Sequence, residues 1–319
     1  MGYTVLLPQD VVDEGKKFLT DRGYTIKMGS GIKACDIAAD VVDCDAILAR
    51  TAPFPREVIE AGKKLKVIGR HGVGCDNIDV QAANERGIVV TYAPESNANS
   101  VAEYAIGMII ALARYYLAGD KATRAGQWEM RNKFPAVDLE GKTLGLIGAG
   151  RIGSLVAKKA FFGLDMKIIA YDPYVKEIKN VPEARVVEDI DSVFAQADFI
   201  SLHMPSTPET RGLIGKKYFD MMKGSAFFIN AARGEVVNEK ELYETLAAKR
   251  IAGAALDVFE TEPPAADNPL FTLDNIILTP HNAALTKEAM GRMALHAAMG
   301  IDDVLSGRPP KWPFKLAGK

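Results

Sequence analysis

Short apolar runs and amphipathic stretches alternate along the chain, a pattern that predicts strands joined by helices. In the first hundred residues the runs Thr4–Leu7, Ala46–Ala49, 66–68 and 88–91 read as strands, with helical patterns such as 10–22 and 55–63 between them. A second series follows at Thr143–Ile147, Lys167–Tyr171, Phe199–Leu202, 225–229, 254–258 and 275–278. Strands regularly separated by helices signify an α/β fold with parallel sheets. Six linked strands in the second series match a complete doubly wound sheet. A last helical pattern spans Lys287–Leu305, ahead of a Pro-rich tail ending at Lys319. The chain therefore reads as a small α/β unit, a nucleotide-type sheet and a terminal helix, with no repeat or low-complexity tract. Pattern alone leaves open which unit the terminal helix joins.

One stretch, 101–118, is apolar on nearly every side, as a helix buried within a core or between domains would be. Ser100 and Glu103 stand in the S-x-x-E relation of a capping box, in which two side chains satisfy free N–H groups of the first turn. The stretch carries Glu103, Gly107 and Arg114 and is short for a bilayer span, so a core helix is expected and not a membrane anchor.

Composition narrows the function. The 319 residues suit two domains, and 48% apolar with 25% charged residues is ordinary for a globular chain. Lys and Arg (39) nearly cancel Asp and Glu (41), which gives no reason to expect nucleic acid or an anionic membrane as a partner. Cys35, Cys44 and Cys75 are odd in number and lack metal-ligand spacing, so reduced thiols in a cytoplasmic protein are expected. The N-terminus runs directly into a strand pattern with no basic segment or cleavage site, so no secretory signal is expected.

The strongest local motif is Gly148-Ala149-Gly150-Arg151-Ile152-Gly153, placed between the strand Thr143–Ile147 and a helix from Ile152. Gly148 suits the tight turn, Gly150 the close approach of a pyrophosphate, and Gly153 close packing of helix on strand. The helix N-terminus, with Arg151 and Ile152, offers free N–H groups and a positive dipole end to phosphates. Asp172 lies 22 residues beyond Gly150, at the end of the next strand. There a carboxylate accepts hydrogen bonds from an adenosine ribose and repels the additional phosphate of NADP, which favours NAD. The alternative is a surface aspartate opening an Asp-Pro turn.

Ligands of parallel α/β sheets gather beyond the carboxyl ends of the strands. Three chemically suited residues fall there: Arg233, Glu262 and His281. Arg233 offers a planar fork for a carboxylate. His281 can exchange a proton with a substrate oxygen, and a glutamate bonded to its ring would orient it and favour its charged form. Each alone is matched by an unremarkable surface role; their placement after successive strands favours hydride-transfer chemistry on a keto acid.

These residues carry a family resemblance. GRHGVGCDNID (69–79), SNANSVAEYAIGMIIALAR (96–114), LEGKTLGLIGAGRIG (139–153), NAARGEVVNEKEL (230–242), ALDVFETEPP (255–264) and TPHNAA (279–284) resemble the D-isomer-specific 2-hydroxyacid dehydrogenases over nearly the full length. The resemblance implies two Rossmann-like domains with doubly wound parallel sheets and an active site in the interdomain cleft. Residues 1–98 plus 287–319 would form the substrate domain and 99–286 the NAD-binding domain. It implies that Arg233 binds the substrate carboxylate with help from the backbone of Gly72, Val73 and Gly74, and that His281 and Glu262 are the acid/base pair. It places His203, Met204, Pro205, Ala231, Ala232, Asp257, His281 and Ala283 beside the cofactor. Homodimers packed through the cofactor domain, including 101–118, are the assembly it implies.

Within the family the phosphoglycerate dehydrogenases look closest, through WEMRNKF (128–134), GRHGVGCDNID and Arg50-Thr51. Arg50, Arg70 and Arg131 either meet a substrate phosphate together or are ordinary surface arginines. The chain ends at Lys319 without a regulatory domain, so the serine-type feedback of longer members is not expected. His71 stands where a small residue is common, Tyr104 replaces a frequent histidine, and Asn282 and Ala284 vary the stretch after His281; His296 reads as a plain helix residue. Two rivals stand beside the dehydrogenase reading: a nucleotide-sensing binding protein on the same fold, and an oxidoreductase of the family acting on another 2-keto acid such as hydroxypyruvate or glyoxylate.

Overall fold

The computed structural model describes residues 2–133 and 136–315, so Phe134 of the 128–134 segment and the end of the tail lie outside the described residues. The chain divides into two compact units, Met1–Asn97 with Ala284–Lys319, and Ala98–Ala283.

The first unit is built on a five-stranded parallel sheet of β1 (Thr4–Leu7), β2 (Thr25–Met28), β3 (Ala46–Ala49), β4 (Val67–Arg70) and β5 (Val89–Thr91), in the order β2-β1-β3-β4-β5. Its helices are α1 (Asp13–Thr20), α2 (Ala34–Asp40), α3 (Arg56–Ala61) and α4 (Val80–Glu85). Side chains alternate between the two faces of each strand. Val5, Leu7, Ala46, Leu48 and Val67 join a core with Ala294, Ala297 and Ile301 of the terminal helix, which packs on α1. Leu6, Ile47 and Ile68 point the other way, into a core with Ile37, Val58 and Ala82. Gly69 lets the terminal helix approach, because a Cβ there would lie 2.6 Å from the Ala297 carbonyl oxygen.

The second unit opens with α5 (Ala98–Ala113) and α6 (Tyr116–Arg124). Its sheet holds β6 (Thr143–Ile147), β7 (Lys167–Tyr171), β8 (Arg185–Val187), β9 (Phe199–Leu202), β10 (Phe227–Asn230), β11 (Gly253–Leu256) and β12 (Ile276–Leu278). They are all parallel, in the order β12-β11-β10-β9-β6-β7-β8. The helices are α7 (Arg151–Leu164), α8 (Ile190–Gln196), α9 (Lys216–Met221) and α10 (Glu239–Ala247); α11 (Lys287–Leu305) belongs to the first unit. One face of the sheet is covered by α5 and α7, the other by α8, α9 and α10.

Several sequence expectations need correction. The second sheet has seven strands, because β8 was not legible, and β2 was missed in the first; both are edge strands, and neither has a buried residue. The capped helix begins at Ala98, which puts Ser100, buried, inside its first turn rather than ahead of it. Glu103 instead accepts from Asn99 Nδ2 at 2.7 Å and from Lys159 Nζ at 3.4 Å. The helix does not run to residue 118: it stops at Ala113, Tyr115 turns left-handed (φ 51°), and α6 continues at 59° to it. Among the described residues no single helix is long and apolar enough to cross a membrane.

Candidate active site

Three neighbouring strands deliver the candidate anchor and acid/base residues. Asn230 pairs with Leu256, and Leu256 with Leu278, so the loops after β10, β11 and β12 leave the same end of the sheet. Arg233, Glu262 and His281 sit on those loops. His281 Nδ1 and Glu262 Oε2 are 2.7 Å apart, and the Phe259 amide donates to Glu262 Oε1 at 3.1 Å. Burial raises the Glu262 carboxyl, but the bond and charge of His281, the Phe259 amide and the Arg233 charge outweigh it and hold the carboxyl below its ordinary value. Arg233 Nη1 donates to the Ala232 carbonyl at 2.8 Å. Asn230 ties this turn, its Nδ2 donating to the Arg233 carbonyl (2.9 Å) and its Oδ1 accepting from the Ala232 amide (3.0 Å). Gly234 packs backbone to backbone on Phe259 and Glu260, where a Cβ would collide, so the loops of Arg233 and Glu262 are locked together.

The His281 turn is held from below by Asp257, which is fully buried. His281 adopts the left-handed region (φ 51°), which few non-glycine residues occupy, although histidine enters it more readily than most. Its amide donates to the Asp257 carbonyl at 2.7 Å, while Asp257 Oδ1 accepts from Thr279 Oγ1 (2.7 Å) and the Asn282 amide (3.0 Å). Asp257 Oδ2 accepts from the amide of Ala283, itself buried (2.9 Å). Tyr104 on α5 donates its hydroxyl to Asn282 Oδ1 at 2.7 Å. Sequence reading missed Asn230 and Thr279 and saw Tyr104 and Asn282 only as departures. An Asn directly after a strand is a usable signal for a side chain closing its own turn.

The glycine loop lies between β6 and α7, which begins at Arg151. Gly148 has φ 97°, and a Cβ on it would meet the His203 backbone at 2.7 Å. A Cβ on Gly153 would strike the Gly148 carbonyl, whereas nothing stands within 4 Å of where one would project from Gly150. The open space over Gly150, beside the N-terminus of α7 with Arg151 and Ile152, fits a pyrophosphate. Asp172 Oδ2 accepts from the Ala149 amide (2.8 Å) and Oδ1 from the amides of Tyr174 (2.8 Å) and Val175 (3.1 Å). His203 follows β9 with Nε2 3.0 Å from Ser201 Oγ, and burial pushes its ring down to about 4. Met204 and Pro205 continue that loop; Ala231, buried, and Ala232 lie in the turn after β10.

The remaining candidates belong to the first unit. Ala49 pairs with Arg70 across β3 and β4, and the His71 amide donates to the Ala49 carbonyl at 2.8 Å, so Arg50 and His71 leave adjacent strand ends. With Met290 and residues Asp10–Glu14, Lys16 and Lys17 they line a pocket of about 740 Å³. Arg50 Nη1 donates to the Asp10 carbonyl at 3.0 Å. Burial, reinforced by the charges of Arg50 and Arg70, pushes His71 down to about 4, against the pull of its own carbonyl and that of Met290. Arg70 does not line this pocket: its guanidinium donates to the carbonyls of Gly74 (2.7 Å) and His71, bracing the loop of Gly72, Val73 and Gly74. Arg131 lies in the second unit, with its guanidinium 6.0 Å from the Trp128 ring centre.

Comparison with known proteins identifies the family and the fold. Residues 106–283 match the model of the D-isomer specific 2-hydroxyacid dehydrogenase NAD binding domain. A D-3-phosphoglycerate dehydrogenase of Archaeoglobus fulgidus is 42% identical over 306 residues, 96% of this chain and 58% of that one. The chain thus spans little more than half the length of the curated relatives it matches. Among solved structures, a protein of Thermus thermophilus superposes with a TM-score of 0.90 at 32% identity, covering 98% of this chain and 100% of that one. A glyoxylate reductase of Paecilomyes thermophila gives 0.88 at 30% identity, covering 98% of both chains. With its nicotinamide dinucleotide domain matched and its relatives aligned over nearly the whole sequence, the chain belongs to the D-isomer-specific 2-hydroxyacid dehydrogenase family.

Proposed function

We propose that the protein interconverts a 2-keto acid and a D-2-hydroxy acid, using NAD, with 3-phosphoglycerate and phosphohydroxypyruvate as the substrate pair. The observation that carries this reading is the His281–Glu262 contact on strand ends next to the one bearing Arg233, in the same sheet as an open glycine cradle. The bound dinucleotide would supply or take the hydride. Arg233 holds the substrate carboxylate, aided by the N–H groups of Gly72, Val73 and Gly74. His281 gives a proton to the carbonyl oxygen in reduction and reclaims it in oxidation, and Glu262 keeps the ring turned for that exchange. Met204, Pro205, Ala231, Ala232, Asp257 and Ala283 line the cofactor, and Asp172 selects NAD over NADP.

The phosphoglycerate reading draws on the curated relatives and on Arg50, the arginine that lines the first-unit pocket. The second reading, a glyoxylate or hydroxypyruvate reductase, is favoured by the full-length overlap with the Paecilomyes thermophila enzyme. Exposed Tyr116, Leu117, Trp128 and Phe162 on the second unit support a homodimer packed through that unit. Three cysteines, all of them outside disulfides, support a reducing, cytoplasmic setting.

The test is oxidation of NADH and NADPH by the purified protein against phosphohydroxypyruvate, hydroxypyruvate, glyoxylate and pyruvate. Preferential NADH-linked turnover of the phosphorylated acid is the expected result. Faster turnover of an unphosphorylated acid selects the second reading, and cofactor binding without turnover of any acid overturns both.

A further inference from the structure

We propose that Tyr104 is a positioning residue for His281, acting through its hydrogen bond to Asn282; the inference rests on the reading of His281 as the acid/base group. The turn that presents His281 is under conformational load. A non-glycine residue at φ 51° holds that conformation only where its surroundings over-determine it. Asp257 supplies most of that restraint, gripping the turn through its carbonyl and both carboxylate oxygens. Every one of those bonds but the Thr279 hydroxyl ends on backbone, so Asp257 fixes the path of the main chain and leaves the Asn282 side chain to another partner.

Tyr104 supplies the restraint from a second element. Its hydroxyl reaches from α5, whose Ala102, Ala105, Met108 and Ile109 are anchored in the core, to the side chain directly after His281. The phenol is half-buried, and burial raises its pKa, so the proton needed for donation to Asn282 stays in place throughout the neutral range. Thr279 and Asp257 also face the same hydroxyl. The Tyr104 hydroxyl and Asn282 Oδ1 are bonded to each other at 2.7 Å. A shift of a few tenths of an ångström in residue 282 is passed to His281, its immediate neighbour, whose ring is held in turn by Glu262.

Tyr104→Phe removes one oxygen and leaves the ring to pack. It is expected to lower kcat for keto-acid reduction about threefold to tenfold, the size of one neutral hydrogen bond, while KM for NADH and for the keto acid stays within about twofold. Asn282→Ala removes the acceptor and is expected to match it, and the double variant is expected to be no slower than either single one. Should Tyr104→Phe fold poorly, Asn282→Ala tests the same bond from the loop. A readout independent of turnover comes from the four histidines of the chain, few enough to follow individually by NMR. The variant should move the ring resonances of His281 and leave those of His71 unchanged. Unchanged kcat with unmoved His281 resonances, or additive losses in the double variant, overturns the proposal. If the wild-type protein reduces no 2-keto acid, the functional reading falls, and the His281 resonances still decide whether Tyr104 positions that ring.

Discussion

Glu262 Oε2 stands 2.7 Å from His281 Nδ1, while its other oxygen accepts the Phe259 amide at 3.1 Å. The carboxylate is therefore a bridge between the histidine and the backbone of its own loop. Glu262→Gln keeps the shape and removes the charge. In keto-acid reduction kcat should fall roughly tenfold to hundredfold, within the range of an impaired general acid, with KM for NADH little changed. Because the Glu262 carboxyl lies below its ordinary 4.5, the ionised form is retained above that pH and lost only on further acidification. The wild-type pH–rate profile should thus show no limb from Glu262 above pH 4.5. Steady-state kinetics between pH 5 and pH 9 check both statements, and full activity in Glu262→Gln would remove the residue from the mechanism.

Asp172 has two jobs that one substitution separates. Its carboxylate already accepts the Ala149, Tyr174 and Val175 amides, so it shapes the glycine loop as well as facing the ribose in the proposed complex. Asp172→Ser retains a short acceptor and removes the negative charge that opposes a 2′-phosphate. The ratio of kcat/KM for NADPH to that for NADH should rise by about one to two orders of magnitude, on the scale of one charged hydrogen bond lost and one repulsion relieved. If both cofactors lose efficiency equally, loop shaping is the whole of its role.

His71 links the first unit's stability to pH. In the unfolded chain its ring protonates near 6.5, whereas burial beside Arg50 and Arg70 holds the folded value at about 4. Between those values the unfolded state binds more protons, so stability is fully present above pH 6.5 and is lost as pH falls toward 4. The loss by pH 5 is about 2 kcal/mol from this residue. His71→Gln cannot titrate, and the fall in Tm between pH 7 and pH 5 should be smaller in the variant. Parallel melting curves for the two proteins would show that another group dominates the acid transition.

Most of the strands that the sequence revealed are buried, such as β1, β3, β6 and β9, because their uninterrupted apolar runs stand out from the polar turns; β12, an edge strand with no fully buried residue, was legible too because its run Ile276–Leu278 is wholly apolar. The edge strands β2 and β8 bury nothing completely, and polar residues such as Lys27 and Arg185 erase the contrast. The 101–118 helix was located but its bend was not. Ala113 to Leu117 stays helix-compatible by residue type, and only the left-handed Tyr115 breaks it, a conformation no local rule assigns to tyrosine. At the candidate site, strand order singled out Arg233, Glu262 and His281 as candidates, and the family resemblance gave them their roles. The contacts that aim them, Asn230 to Arg233 and Tyr104 to Asn282, depend on side-chain reach across turns and between elements.

The same limit explains the arginines. Arg50, Arg70 and Arg131 look interchangeable in sequence, yet β-strand alternation sends Arg50 into the pocket with His71 and turns Arg70 onto the carbonyls of His71 and Gly74. Their substitutions should therefore differ in kind. On the proposed function, Arg50→Leu removes a charge offered to a substrate phosphate and should cut kcat/KM for phosphohydroxypyruvate about tenfold to hundredfold relative to hydroxypyruvate, as expected for a charge-assisted hydrogen bond. Arg70→Leu frees the 71–74 loop, whose N–H groups are assigned to the carboxylate common to both acids, and should lower both efficiencies by the same factor. The ratio of the two efficiencies is the quantity to measure. A ratio altered by Arg70→Leu but not by Arg50→Leu would reverse the assignment, and with it the part that the pocket plays in choosing a phosphorylated substrate.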